Sequence, residues 1–175
     1  MEIIFIRHTT PKIAKGICYG QSDIDVTNTF EKEASEIVTQ LGRQDSETVI
    51  YSSPLVRCKK LANKLSNNII FDERLKELNF GDWELKEWND INQHEMSLWM
   101  KDFVNVAVTN GESYIDLHKR STDFLKEIVS KNHKKVIIIT HAGVIRSLYS
   151  YINNTPLEKS FDLKLNYGQL LKVTY

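Results

Sequence analysis

The stretch that decides the fold lies near the start of the chain: Glu2-Ile3-Ile4-Phe5-Ile6-Arg7-His8-Thr9-Thr10-Pro11. Four consecutive apolar residues, Ile3 to Ile6, predict a strand that is buried on both faces. A cation and an imidazole follow this strand at once, before Pro11 interrupts regular structure. Open α/β sheets bind their ligands at the carboxyl ends of their strands, so Arg7 and His8 are predicted to lie at a ligand site. We take His8 as a candidate nucleophile and Arg7 as part of a phosphate clamp.

Two further predicted strands end in residues that carry chemistry. Residues 136–139 are all apolar and run into Thr140-His141, so a parallel sheet would bring His141 to the same edge as His8. A strand at 48–51 precedes Ser53-Pro54, where Ser53 is predicted to cap a helix with Pro54 at its first position. That helix would carry Arg57 on its first turn, over the same edge.

Strands and helices alternate along most of the chain, which predicts right-handed crossovers and a mainly parallel sheet. Further strands are predicted at 69–71 and 170–175, and further helices after residue 28, after Gly111-Glu112-Ser113 and over 144–152. The stretch 72–111 is harder to read, with a helix predicted at 87–101. The expected fold class is therefore α/β, a three-layer α/β/α sandwich. We expect a single domain over residues 1–175, with a variable substrate-cap segment at about 83–110.

The composition excludes several classes of function. The 175 residues include 23 Lys and Arg against 23 Asp and Glu, and this zero net charge argues against a general nucleic-acid or membrane surface. Cys18 and Cys58 lack the spacing of a disulfide framework or a zinc site, so no metal and no cofactor are predicted. No signal peptide or apolar run of about 20 residues is present, and a cytoplasmic location is expected.

The residue types at the predicted sheet edge suit phosphate chemistry. Arg7 and Arg57 together offer two planar guanidinium forks, which bind phosphate in a bidentate manner that Lys cannot copy. Glu77 lies between apolar residues just before a glycine turn. Partial burial there would favour the protonated acid and let it donate a proton near neutrality. The spacing alone leaves Glu84 and Glu73 open as alternatives to Glu77.

Five motifs in this chain resemble those of the histidine phosphatase (phosphoglycerate mutase-like) superfamily, in the family's order. They are Arg7-His8, Ser-Ser-Pro-Leu-x-Arg-Cys at 52–58, Glu-Leu-Asn-Phe-Gly-Asp-Trp-Glu at 77–84, Gly-Glu-Ser at 111–113 and Thr-His-Ala-Gly-Val-Ile-Arg at 140–146. The resemblance implies a phosphohistidine on His8. It also implies that Arg7, Arg57 and a protonated His141 bind the phosphoryl group, that Glu77 is the proton donor, and that the backbone at Gly143 lies near the phosphate.

The chain departs from the common family pattern directly after His8. The family commonly has Gly-Glu there and an Asn a few residues later, whereas this chain has Thr9-Thr10-Pro11 and, near the Asn position, Ala14. One expected phosphate ligand is therefore missing, and Thr9, Thr10 or Gln21 are candidates to replace it. The same stretch, with Cys-Tyr-Gly-x-x-Asp at 18–23, resembles the α-ribazole phosphatase branch. This resemblance implies hydrolysis of α-ribazole 5′-phosphate in cobalamin biosynthesis and adds Tyr19 and Gly20 as candidate substrate-binding residues.

Other functions remain open at this point. A phosphatase of broad specificity for sugar or nucleotide monophosphates is the main alternative, with Trp83, Trp88 and Trp99 as residues that could stack on a base or simply pack in a core. A phosphoglycerate mutase is disfavoured by the short segment between Glu77 and Gly111, and a non-catalytic phosphate-binding relative by the presence of all five candidate catalytic residues. The expected partner is a small phosphorylated substrate. The oligomeric state is left open, with a homodimer as one alternative.

Overall fold

The computed structural model describes residues 1–175 and has a five-stranded sheet at its centre. The strands are β1 (Glu2–Arg7), β2 (Val49–Ser52), β3 (Ile70–Phe71), β4 (Lys135–Thr140) and β5 (Leu170–Thr174). Their order across the sheet is β3-β2-β4-β1-β5, and all neighbours are parallel except β5, which runs antiparallel to β1. Because β1 and β4 are adjacent and parallel, Arg7 pairs with Thr140 at their carboxyl ends.

Helices cover both faces of this sheet. They are α1 (Phe30–Leu41), α2 (Val56–Leu65), α3 (Gln93–Lys101), α4 (Tyr114–Ser130) and α5 (Ala142–Ile152). Successive strand residues point to opposite faces. Ile3 and Phe5 therefore join a core with α4 and α5, whereas Ile4 and Ile6 join a second core with α1 and α2. The predicted α/β class, with a mainly parallel sheet between helical layers, is confirmed. None of the helices has the length and apolar character that a membrane crossing requires.

The prediction for the start of α2 was wrong. The helix begins at Val56 and its N-cap is Leu55, so neither Ser53 nor Pro54 takes the expected capping position. The Ser53 hydroxyl lies 2.8 Å from Nε2 of His141 in the buried interior, and it accepts only a long hydrogen bond, 3.4 Å, from the N–H of Leu55. Ser113, in contrast, caps α4 with a capping box that includes Asp116, at the place where the sequence predicts a helix start.

The segment between β3 and α4 is built mostly from short turns. Three 3₁₀ turns (Glu73–Leu75, Gly81–Trp83 and Trp88–Asp90) precede α3, so the helix predicted at 87–101 is shorter than expected. This segment has a small core of its own, in which Trp83, Ile91 and Val108 pack with Cys18. Because Cys18 belongs to this core, the segment packs against the loop formed by residues 9–26. It lies above the carboxyl edge of the sheet, where Trp88 and Trp99 line a cavity.

Candidate active site

His8 lies at the carboxyl end of β1 with only 2% of its surface exposed. Its Nδ1 is 2.7 Å from the carbonyl oxygen of Thr9. A carbonyl oxygen only accepts hydrogen bonds, so Nδ1 carries the proton and the Nε2 lone pair is left free. The backbone therefore fixes both the tautomer and the orientation of the ring.

His141 stands beside His8 at the end of β4, as the sequence predicts for neighbouring parallel strands. The two ring centroids are 5.1 Å apart in an edge-to-face arrangement. His141 is fully buried and is held from behind by the hydroxyl of Ser53 and by Sγ of Cys58, 3.5 Å from Nε2. Ser53 and Cys58 thus support the imidazole from the start of α2.

Both histidines favour the neutral form. Burial lowers the pKa of His8 well below 6.5, and the charges of Arg57 and Arg7 lower it further, while the bond to the Thr9 carbonyl opposes them. Burial likewise lowers the pKa of His141, together with the charges of Arg57 and His8. The lowered pKa favours neutral His141, so the protonated His141 that the family resemblance implies needs an added negative charge beside the ring.

Two arginines lie beside His8. Arg57 is fully buried on the first turn of α2, where its two Nη groups donate to the carbonyl oxygens of Ser22 and Gly20. Arg7 donates from Nη1 to the carbonyl of Leu165 at 2.7 Å, and its guanidinium lies 3.9 Å from the ring centre of Tyr167. The Nε atoms of both arginines are buried without an acceptor. Two rigidly held guanidinium groups with unpaired donors form a site that favours an anion.

Glu77 approaches the same cavity from the segment that follows β3. Its Oε2 accepts from the backbone N–H of Gly143 at 3.1 Å, and its Oε1 accepts from the N–H of Leu78 at 3.0 Å. Glu84, the alternative left open by the sequence, instead accepts hydrogen bonds from backbone N–H groups of the 20–22 loop and does not line the cavity. Glu73 pairs with Lys76 at the surface. Glu77 is thus the one of the three carboxylates placed on the cavity.

A cavity of about 290 Å³ lies beside these groups, and His141, which is fully buried, is not among the residues that line it. Arg7, His8 and Arg57 lie on it together with Glu77 and Gly143. Most of the remaining wall is aromatic and includes Phe80, Trp88, Trp99, Phe103, Tyr114 and Phe161. The volume is at the lower end of the range for small-molecule sites, roughly 300 to 1,000 Å³. The site therefore combines a cationic, imidazole-bearing end with an apolar, aromatic end.

The remaining predicted binding residues divide into two groups. Tyr19 lines the cavity, and its hydroxyl is 2.8 Å from that of Tyr167, whose ring lies against the guanidinium of Arg7. The other four do not line it: Thr9 is fully buried, and Thr10 binds Glu33 through its N–H and hydroxyl. The Gly20 carbonyl accepts from Arg57, and the Gln21 side chain donates to the backbone carbonyl of Glu77 at 3.0 Å.

Two arginines of the site, Arg120 and Arg146, are given no role by the predictions, although Arg146 ends the motif at 140–146. Arg120 of α4 donates to the backbone carbonyls of Arg74, Lys76 and Glu77, and it pairs with Glu112 through two hydrogen bonds of 2.7 and 2.9 Å. This pair explains the Gly-Glu-Ser motif, because Glu112 orients the arginine that holds the Glu77 backbone. Arg146 lines the cavity beside Phe161, and only its Nε has a partner, the Leu163 carbonyl. Neither arginine could be singled out from spacing alone, since both lie within ordinary helical stretches.

Comparison with known families gives one match over nearly the whole chain. The family model described as "Histidine phosphatase superfamily (branch 1)" matches residues 3–175.

Two curated relatives illustrate the range of similarity. A putative phosphoserine phosphatase 2 of Hydrogenobacter thermophilus is 25% identical over an alignment of 180 residues, gaps included. The alignment covers 98% of this chain and 88% of the relative. A metal-independent phosphoserine phosphatase of Arabidopsis thaliana is 31% identical over 160 residues, which cover 85% of this chain and 67% of the relative.

Among solved structures, the α-ribazole phosphatase from Shigella flexneri superposes with a TM-score of 0.91 at 23% identity. The superposition covers 99% of this chain and 90% of that protein. At this identity the likeness concerns the fold.

Proposed function

We propose that this chain, which belongs to the histidine phosphatase superfamily, is a phosphatase that hydrolyses a small phosphomonoester through a phosphohistidine on His8. One observation carries the proposal: an imidazole with a free Nε2 lines the same cavity as Arg7, Arg57 and Glu77. A nucleophile, two fixed cations and a carboxylate are the groups that phosphoryl transfer needs. In this site the cationic side chains would supply the charge stabilisation that a metal ion supplies elsewhere.

In the first step Nε2 of neutral His8 attacks phosphorus. The N–P bond forms as the bond from phosphorus to the ester oxygen breaks. The depressed pKa of His8 keeps the lone pair available at neutral pH. The bond from Nδ1 to the Thr9 carbonyl stabilises the positive charge that the ring gains. Arg7 and Arg57 would bind the phosphoryl oxygens close to Gly143, and a bound phosphoryl dianion would raise the pKa of His141 toward its protonated form.

Glu77 would serve as acid in the first step and base in the second. As a carboxylic acid it gives its proton to the leaving alkoxide. As the resulting carboxylate it takes a proton from the water that attacks phospho-His8, and the N–P bond then breaks to release phosphate. The hydrogen bonds from Gly143 and Leu78, and the grip of Arg120 on the Glu77 backbone, would hold the carboxyl group in position.

The aromatic end of the cavity bears on the substrate. We propose α-ribazole 5′-phosphate, since six aromatic side chains suit a flat, apolar base better than a small zwitterion. The Arg-His-Thr-Thr-Pro and Cys-Tyr-Gly sequences, which resemble those of the α-ribazole phosphatase branch, support this choice. Gly20 and Gln21 would then act indirectly, through the loop that contacts Arg57 and the Glu77 backbone, and Thr9 and Thr10 would not contact the substrate. A place in cobalamin biosynthesis and a cytoplasmic location stay predictions.

A carboxylated phosphomonoester such as phosphoserine is the second candidate. The specific observation in its favour is Arg146, which lines the cavity with neither Nη group hydrogen-bonded within the protein. An unpaired guanidinium in an apolar setting favours an anionic partner. The two curated relatives compared above are also named as phosphoserine phosphatases.

The test separates the chemistry from the substrate. The wild-type protein should release phosphate from p-nitrophenyl phosphate in the presence of EDTA, vanadate should inhibit it, and His8→Ala should abolish turnover. Turnover that persists in His8→Ala, or a strict metal requirement, would refute the mechanism. For the substrate, kcat/KM is compared across α-ribazole 5′-phosphate, nucleoside 5′-monophosphates, phosphoserine and phosphoglycerates. A preference for phosphoserine that Arg146→Met removes would establish the second candidate, and a flat profile would refute both.

A further inference from the structure

Glu84 is surrounded by hydrogen-bond donors from two separate loops. Its Oε2 accepts from the N–H groups of Gly20 at 3.0 Å and Ser22 at 3.1 Å, and from the Ser22 hydroxyl. Its Oε1 accepts from the N–H groups of Gln21 at 2.8 Å and Phe80 at 3.1 Å. One carboxylate thus fixes three consecutive backbone amides of the 20–22 loop against the chain at residue 80.

The same loop supplies the acceptors that hold Arg57. Nη1 of Arg57 donates to the carbonyl of Ser22 at 2.9 Å, and Nη2 donates to the carbonyl of Gly20. Gly20 also packs so closely on the Leu78 backbone that a Cβ at this position would overlap the Leu78 carbonyl oxygen. The backbone N–H groups of the loop therefore point toward Glu84, and its carbonyl groups point toward the Arg57 guanidinium. The close packing of Gly20 leaves the loop no room to shift.

We propose that Glu84 is a positioning residue, which sets the orientation of the Arg57 guanidinium for phosphate binding through the 20–22 loop. This inference rests on the proposed function only in assigning the phosphoryl group to Arg57. Glu84 itself touches neither the cavity nor Arg57. Its effect is transmitted by the peptide units of residues 20–22, which donate to the carboxylate on one side and accept from the arginine on the other.

The loop also links Arg57 to the proton-donor end of the site. The Gln21 side chain donates to the backbone carbonyl of Glu77, and that carbonyl also accepts from Arg120. Glu84 thereby holds a loop that contacts both the phosphate-binding arginine and the segment carrying Glu77. These donors stabilise the ionised carboxylate of Glu84. Burial alone would raise the pKa of Glu84, but the hydrogen bonds from the Ser22 hydroxyl and the backbone of residues 20–22 outweigh burial and lower that pKa.

The test compares Glu84→Gln with wild type. Glutamine replaces one acceptor oxygen of Glu84 with an NH₂ group, which cannot accept the hydrogen bonds that the loop N–H groups donate. The loop should therefore shift, and Arg57 should lose its fixed orientation. We expect vanadate and inorganic phosphate to bind about tenfold more weakly by calorimetry, and kcat on p-nitrophenyl phosphate to fall by about tenfold, under conditions where both proteins are folded by circular dichroism. A Glu84→Gln protein that binds vanadate as tightly as wild type would overturn the inference.

A matched control and a double-mutant cycle exclude a general loosening of the loop. Glu33 accepts from the N–H and hydroxyl of Thr10 in the same long loop, without contacting residues 20–22, so Glu33→Gln should leave vanadate affinity unchanged. In an Arg57→Lys protein, Glu84→Gln should weaken vanadate binding further by no more than about twofold. Equal losses in the two glutamine variants, or full additivity with Arg57→Lys, would contradict the assignment. Absence of both turnover and vanadate binding in the wild-type protein would instead refute the proposed function.

Discussion

The carboxylate of Glu77 rests directly on the backbone of Gly143, although the two residues belong to different layers of the fold. Oε2 accepts the Gly143 N–H at 3.1 Å, and a Cβ added at Gly143 would overlap Oε1. The carbonyl of Gly143 meanwhile accepts from the hydroxyl of Tyr114 at 3.2 Å. A glycine at the start of α5 is therefore a spatial requirement of the candidate acid.

Gly143→Ala should displace Glu77 and lower kcat for alkyl phosphates by about 100-fold, since a displaced acid no longer reaches the leaving group. Steady-state kinetics on an alkyl phosphate measures this loss. If Gly143→Ala acts through Glu77, it should lower kcat little further in an enzyme that already carries Glu77→Gln. A Gly143→Ala enzyme with normal kcat would show that the contact has no role in catalysis.

The loss caused by Glu77→Gln should depend on the leaving group. Alkoxides need a proton, so the first step should slow by about 100-fold or more with an alkyl phosphate. p-Nitrophenolate leaves without one, so phosphorylation of His8 should remain fast while water attack, which needs the base, becomes slow. Rapid-quench experiments should then show a burst of p-nitrophenol and an acid-labile phosphoenzyme. Equal slowing of both substrates without a burst would argue against Glu77 as acid and base.

Acid should destabilise the fold below pH 6.5. The folded protein holds His8 and His141 with pKa values well below 6.5, whereas the unfolded chain titrates them near that value. Between the lowered folded pKa and 6.5 the unfolded state binds more protons, so stability falls as pH falls through this window. Urea unfolding at several pH values below 6.5 measures how steeply the free energy of unfolding depends on pH. His141→Asn should make this dependence less steep, whereas His94→Asn, at an exposed position, should leave it unchanged. A slope unaffected by His141→Asn would contradict the account.

Phe161 offers a test of the aromatic wall. It lines the cavity yet remains 42% exposed, so Phe161→Ala should cost little stability. We expect kcat/KM for α-ribazole 5′-phosphate to fall by about tenfold, within the ~1–3 kcal/mol of stacking on a base, and kcat/KM for a small alkyl phosphate to change little. Phe71→Ala, with 41% exposure and away from the cavity, is the matched control. Equal losses for both substrates would remove the stacking argument.

The sequence predicts best where strand geometry decides position. His8 and His141 follow apolar runs, and parallel pairing of β1 with β4 brings them together at one edge. Superfamily membership, predicted from five short motifs, is confirmed over residues 3–175. The mainly parallel α/β fold is confirmed for the same reason, since burial of continuous apolar strands leaves few alternatives.

The sequence predicts worst where tertiary hydrogen bonds compete with local preference. Ser53 has the sequence context of a helix cap, but its hydroxyl lies against His141. Glu77 and Glu84 have similar neighbours, and only the three-dimensional contacts assign one to the cavity and the other to the 20–22 loop. Arg120 gains its importance from carbonyls more than 40 positions away, a relationship that no local pattern contains.

The small core formed by Cys18, Trp83, Ile91 and Val108 is separate from the two cores that hold the sheet. Phe80, Trp88 and Trp99 pack against this small core with one side and border the cavity with the other. We expect substitutions of Cys18, Ile91 or Val108 to reshape the aromatic wall of the cavity while the strand ends that carry His8 and His141 stay in place. Phe80 is the exception, because it also packs against the core that contains α4 and α5. Substrate preference would then change through the small core without any change in the phosphoryl-transfer residues.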